Sequence, residues 1–129
     1  MRILFITEKW CDGNPAMGLT NNYHNLFSSL ANSEVDAEFN IVHMDEYAML
    51  KNDHIDNLIP RVCDNYKPDV AIFSFLGTSP LNPTMKSIDY IKNQNIKIIM
   101  IWPDVSETCG LPQIREFKDH TDLHVCWGS

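Results

Sequence analysis

The chain has 129 residues, of which 44% are hydrophobic and 21% charged. Those are the proportions of a chain that buries a core, and they argue against disorder. A formal net charge of −7 argues against a general binder of nucleic acid or anionic membrane, since both need clustered Lys and Arg. The length predicts one domain over residues 1–129.

Ile3 to Thr7 is a short apolar run with β-branched residues, which predicts a strand buried on both faces. Glu8 and Lys9 break it after a handful of residues. Neither a secretory signal nor a membrane span is formed there, so a cytoplasmic location is expected. A loop follows from Glu8 to Leu19, carrying Gly13, Pro15 and Gly18. Thr20 is placed to cap a helix whose inward residues are Tyr23, Leu26, Phe27 and Leu30. Asn32 and Ser33 end it.

Phe39 to Met44 is the second predicted strand. A helix is predicted from about Asp53 to Tyr66, with Ile55, Leu58, Ile59 and Val62 on one face. Pro60 falls inside it and predicts either a kink or a start near Asn57. Lys67-Pro68-Asp69 turns into the third strand, Val70 to Phe75. The loop Leu76 to Pro80 leads to Asn82-Pro83, read as a cap and first helical residue. That helix runs to about Lys92 with Met85, Ile88 and Ile91 inward. Lys97 to Trp102 is the most apolar strand. A short helix around Gln113 to Lys118 and a fifth strand, Leu123 to Trp127, complete the series.

Unbroken apolar strands alternating with amphipathic helices predict an α/β fold. The expectation is a three-layer Rossmann-like, doubly wound parallel sheet of about five strands, ordered 3-2-1-4-5. The cysteines Cys11, Cys63, Cys109 and Cys126 form no close pair, which argues against a zinc or dithiol site. Cys63 and Cys126 read as small core residues, Cys11 and Cys109 as loop residues. His120 and His124 are separated by a turn into a strand and are not expected to bind metal. His43, at the end of strand two, reads as a satisfied edge histidine. No metal and no cofactor is expected.

Ligands of open parallel sheets bind beyond the carboxyl ends of the strands. With strands one and four side by side, three loops are selected. In the first, Gly13 and Gly18 let a ligand approach the backbone, while Asn14, Asn21 and Asn22 offer hydrogen bonds; loop conformation and helix solvation explain the same residues. No GxGxxG and no phosphate-loop lysine is present. In the second, Gly77, Thr78 and Ser79 form either a phosphate-binding turn or a simple turn. In the third, Asp104 follows Trp102-Pro103 directly beyond the most buried strand. It is placed either as a general base or as a turn cap.

The outline resembles several families that their motifs separate. A receiver domain would need an acidic phosphoacceptor at the end of strand three, where Phe73-Ser74-Phe75 stands. A flavodoxin would need a short hydroxyl-rich loop after strand one. A cobalamin-binding domain would need Asp-x-His-x-x-Gly there. The chain best resembles the N-terminal half of a GT-B glycosyltransferase, of the group 1 and CgeB-like kind. The likeness is carried by Met1 to Thr7 with its glycine-bearing loop and Thr20 to Leu30. Lys67-Pro68-Asp69-Val70, Lys97 to Asp104, and Phe117 to Gly128-Ser129 extend it.

The resemblance implies an acceptor-binding domain that is inactive alone. The nucleotide-sugar would be gripped by a donor domain, either further along a longer chain or on a partner subunit. It implies Asp104 as base and Gly13, Asn14 and Gly18 on the acceptor side, with Trp102 nearby. A face left uncovered by the missing domain would favour a homodimer. The alternative is a non-catalytic small-ligand module of cobalamin-like or nucleotide-binding type.

Overall fold

A computed structural model of the chain describes residues 1–10, 14–19, 37–75, 79–102 and 115–126. Its elements are β1 (Arg2–Thr7), β2 (Glu38–His43), α1 (Met44–Lys51), α2 (Ile55–Tyr66), β3 (Val70–Ser74), α3 (Met85–Asn93), β4 (Lys97–Trp102) and β5 (Leu123–Cys126). Short 3₁₀ turns lie at Pro15–Met17 and Lys118–His120. The helix expected from Thr20 lies outside the described residues.

The five strands form one sheet, parallel throughout. The α/β Rossmann-like class is therefore present as expected. Numbered in chain order, the strands lie β2-β1-β3-β4-β5. The first strand is interior, as in the expected 3-2-1-4-5, but β3 stands between β1 and β4. The expected contact between β1 and β4 is replaced by β1–β3 and β3–β4.

Asp69 supplies the physical reason. Its carboxylate accepts the Arg2 backbone N–H at 2.8 Å, and its own N–H donates to the Arg2 carbonyl at 2.8 Å. Its carbonyl accepts the Lys97 N–H at 3.1 Å. One residue thus registers β3 against both neighbours. Asp122 does the same for the far edge, accepting the Ile98 N–H at 2.8 Å and donating back at 2.9 Å.

Strand alternation divides the core in two. Leu4, Ile6, Ala71, Phe73, Ile98 and Met100 face one side. The described helices bring their buried apolar residues to that side: Ile55, Ile59 and Cys63 from α2, Ile88 and Ile91 from α3. Ile3, Phe5, Ile72 and Ile101 form the second cluster and are buried as well. Cys63 is a core residue, its thiol pushed up to about 11 by burial and then by Asp64. No helix among the described residues is long and apolar enough to cross a membrane.

Several boundaries differ from expectation. α1 begins where β2 was expected to continue, and α1 itself was not expected. It buries only Met44 and Asp45 and exposes Met49 and Leu50, so no apolar stripe announces it. α2 starts at Ile55 and runs through Pro60. Its cap is His54, whose Nδ1 accepts the Asp56 N–H at 3.1 Å. α3 is capped by Thr84 rather than Asn82, with the Lys86 N–H donating to Oγ1 at 3.3 Å.

Phe73 is fully buried, and its ring stacks on Phe75 at 6.0 Å. Phe73→Ala is expected to cost about 3–5 kcal/mol. The check is urea denaturation, where the midpoint falls at constant slope. An unchanged midpoint would contradict the packing.

Candidate functional site

The last residues of the five strands are Thr7, His43, Ser74, Trp102 and Cys126. Thr7 registers with His43 across β1 and β2. Ile6 registers with Phe73, which brings the ends of β1 and β3 together. The chain crosses from β1 to β2 on one side and returns past β1 to β3 on the other. The crevice of such a sheet lies at that reversal, between β1 and β3. The residues there are polar yet buried: Thr7, Glu8 and Ser74.

The loop leaving β1 is held by Asp45. This carboxylate is 1% exposed. It accepts the backbone N–H of Lys9 at 2.9 Å, of Trp10 at 3.0 Å and of Glu46 at 2.8 Å. Lys9 reaches Glu46 at 2.5 Å and lies 4.9 Å from the centre of the Trp10 ring. A bridge between Trp10 and Leu19 closes the base of the loop. His43 adjoins this group. Burial lowers the imidazole pKa, against the pull of Glu46 and Asp45 and of a hydrogen bond to the Glu8 backbone. Burial thus favours the uncharged form of the ring.

The loop after β3 is held by a second carboxylate, Asp56, on the first turn of α2. It accepts the Thr84 N–H at 3.0 Å, the Thr84 hydroxyl at 2.5 Å and the Ser87 hydroxyl. His54 Nδ1 lies 3.2 Å away, and His54 Nε2 meets the Pro80 carbonyl at 2.9 Å. Burial raises the Asp56 pKa, but the hydrogen bonds from Ser87 and Thr84 together outweigh it and leave the value lowered. Ser79 Oγ accepts the Leu81 N–H at 3.1 Å and shapes the turn. Beside this loop is a cleft of about 160 Å³ floored by Phe75 and Phe117, whose rings stack at 5.5 Å.

Among the expected site residues, Gly13, Asn21, Asn22, Gly77, Thr78 and Asp104 lie outside the described residues. Trp102 ends β4 at the carboxyl edge, but β3 separates that strand from β1. Asn14 and Gly18 are both exposed in the first loop. Asn14 caps the 3₁₀ turn, accepting the Ala16 N–H at 3.1 Å. Gly18 has φ +80°, a conformation that favours glycine, and an added Cβ would meet nothing within 4 Å. Its described role is the turn.

Sequence reasoning missed Glu8, Asp45, His54 and Asp56. Glu8 had a signal: a charge directly after a strand buried on both faces. Asp45 and Asp56 had none, because their partners lie 35 to 36 and 28 to 31 residues away. Among the described residues no group of three or more His, Cys, Asp or Glu is placed to hold a metal ion. Compared with protein-family models, curated proteins and solved structures, the chain matches none.

Two outcomes follow from the carboxylates. Asp45→Ala leaves three N–H donors without their acceptor and is expected to cost about 1.5–3 kcal/mol. Faster hydrogen exchange at the Lys9 and Trp10 amides would check it; unchanged exchange would contradict the clamp. For Asp56 the folded pKa lies below the unfolded one. Its contribution is therefore present above the unfolded carboxylate pKa and is lost as pH falls through the folded value. Asp56→Asn should cost about 1.5–3 kcal/mol at neutral pH, with the gap to the parent closing in acid. A gap independent of pH would show that the charge is not what matters.

Proposed function

We propose that the chain is the acceptor-binding, Rossmann-like domain of a cytoplasmic GT-B glycosyltransferase that uses a nucleotide-sugar. It acts only when completed by a donor-binding domain or subunit. What supports this reading most is the carboxyl edge of the sheet. There Thr7, Glu8 and Ser74 are buried polar groups at the ends of β1 and β3, and His43, its pKa lowered by burial, ends β2 beside Thr7. The Lys67-Pro68-Asp69-Val70 segment adds to it, because Asp69 sets the edge of that crevice by registering β3 against β1.

In this reading an acceptor hydroxyl lies across the ends of β1, β3 and β4. Asp104, two residues beyond Trp102, takes its proton as the oxygen attacks the sugar carbon and the nucleotide diphosphate leaves. Gly13, Asn14, Gly18, Asn21 and Asn22 line the acceptor from the first loop. Gly77 and Thr78 do so from the third-strand loop. Two copies pair through the face that the donor domain would otherwise cover.

A second reading is favoured by the strand order. A 2-1-3-4-5 sheet with its reversal between β1 and β3 offers a small-ligand crevice at that switch point, which a module without catalysis could use. A corrinoid or nucleotide would be such a ligand. The visible absorbance of the purified protein separates the two, because a bound corrinoid is coloured.

The transferase reading is tested in the chain joined to its donor domain. Asp104→Asn is expected to lower turnover by about 10²–10⁴-fold with little change in acceptor affinity. Unchanged turnover would reject the base. Tight nucleotide-sugar binding by the present chain alone would reject the acceptor assignment.

A further inference from the structure

The cleft beside the β3–α3 loop has a chemistry that selects its ligand. Its volume of about 160 Å³ is well below the ~300–1,000 Å³ of pockets for drug-sized molecules, so it takes one ring. Its floor is apolar, formed by Phe75 and Phe117, with Pro80 and Pro83 beside them. Its polar groups include the Asn82 amide and the exposed Glu116 carboxylate.

Anions are disfavoured here for a specific reason. The N-terminus of α3 is where a phosphate would be expected to bind. That position already holds a carboxylate. Asp56 accepts from the Thr84 N–H, the Thr84 hydroxyl and the Ser87 hydroxyl. The Lys86 N–H is used by Thr84 Oγ1. Glu116 adds a second negative charge to the lining. A bound cation is not called for either, since the charge of Asp56 is already met by three donors from Thr84 and Ser87.

An apolar floor with acceptors beside it suits a ring that has a C–H face and hydroxyl groups around its edge. The C–H face lies on the phenylalanine and proline side chains. The hydroxyls donate to the Glu116 carboxylate and exchange hydrogen bonds with the Asn82 amide. We propose that this cleft is a subsite for one neutral polyhydroxylated ring, a single sugar unit of the acceptor. The choice of a sugar among neutral polyols rests on the transferase reading above; the exclusion of anions does not.

The test is titration of the chain with methyl glucoside, methyl galactoside, N-acetylglucosamine and myo-inositol, read by amide chemical shifts. Inorganic phosphate and methylammonium serve as charged counterparts. A neutral glycoside is expected to bind in the millimolar range and to shift the amides of Ser79, Asn82, Thr84 and Phe117. Glu116→Ala, at an exposed position, should weaken it about tenfold. Pro80→Trp fills the cleft from its exposed side and should abolish it, with urea melts confirming that both variants fold. No glycoside effect at these amides overturns the proposal, as does phosphate or methylammonium shifting them instead. Glycoside shifts confined to Lys9, Trp10 and His43 overturn the subsite and leave the transferase reading standing. Glycoside binding in the cleft of a completed protein that transfers no sugar keeps the subsite and removes that reading.

Discussion

The carboxylate of Asp56 is the interaction on which the functional half of the molecule depends. It sits on the first turn of α2 and takes its hydrogen bonds from the first turn of α3. That arrangement joins two helices that pack on the same face of the sheet. It also places a negative charge where both helix dipoles favour one. A buried carboxylate is costly alone, but three donors offset the cost. His54 completes the node by capping α2 with one ring nitrogen and tying down the Pro80 carbonyl with the other. Pro80, beyond β3, is thus tied to the start of α2 through His54.

A second constraint acts at the opposite end of the strands. Asp69 and Asp122 each bond the backbone of a neighbouring strand near its start. Burial of apolar side chains drives the sheet together, but it does not distinguish the order of β1, β3 and β4, because all three are apolar. Directional bonds at the strand starts make that distinction. The same register then fixes which loops meet at the carboxyl end. β1 meets β3 there, so the ends of these two strands are neighbours and the end of β4 is one strand further away.

These two constraints explain what the sequence reveals and what it hides. The strands were legible because both-face burial leaves runs such as Ile98-Ile99-Met100-Ile101. The inward faces of α2 and α3 were legible because their stripes repeat at helical spacing. α1 was hidden because it buries a single apolar residue, Met44. The cap of α3 was misplaced because Asn82-Pro83 has the form of a cap. Thr84 instead both receives the Lys86 N–H and donates to Asp56. Strand order was hidden because a crossover from β2 can return on either side of β1. The short-range pattern contains no statement about which. The acidic residues read as turn or surface, Asp69 and Asp122 among them, are the ones that carry this long-range information.

The carboxyl edge consequently divides into two parts of different character. Around β1 and β2, Glu8, Lys9, His43, Asp45 and Glu46 form a dense charged group with a neutral imidazole inside it. Around β3 and α3 the buried carboxylate of Asp56 is satisfied by Thr84 and Ser87, and the described lining of the cleft is apolar apart from Ser79, Asn82, Thr84 and Glu116. The reversal of the chain past β1 places these parts side by side. A fold with β3 at the outer edge would separate the two by the width of another strand. The register set by Asp69 at the base of the sheet is therefore what brings these two parts of the carboxyl edge side by side.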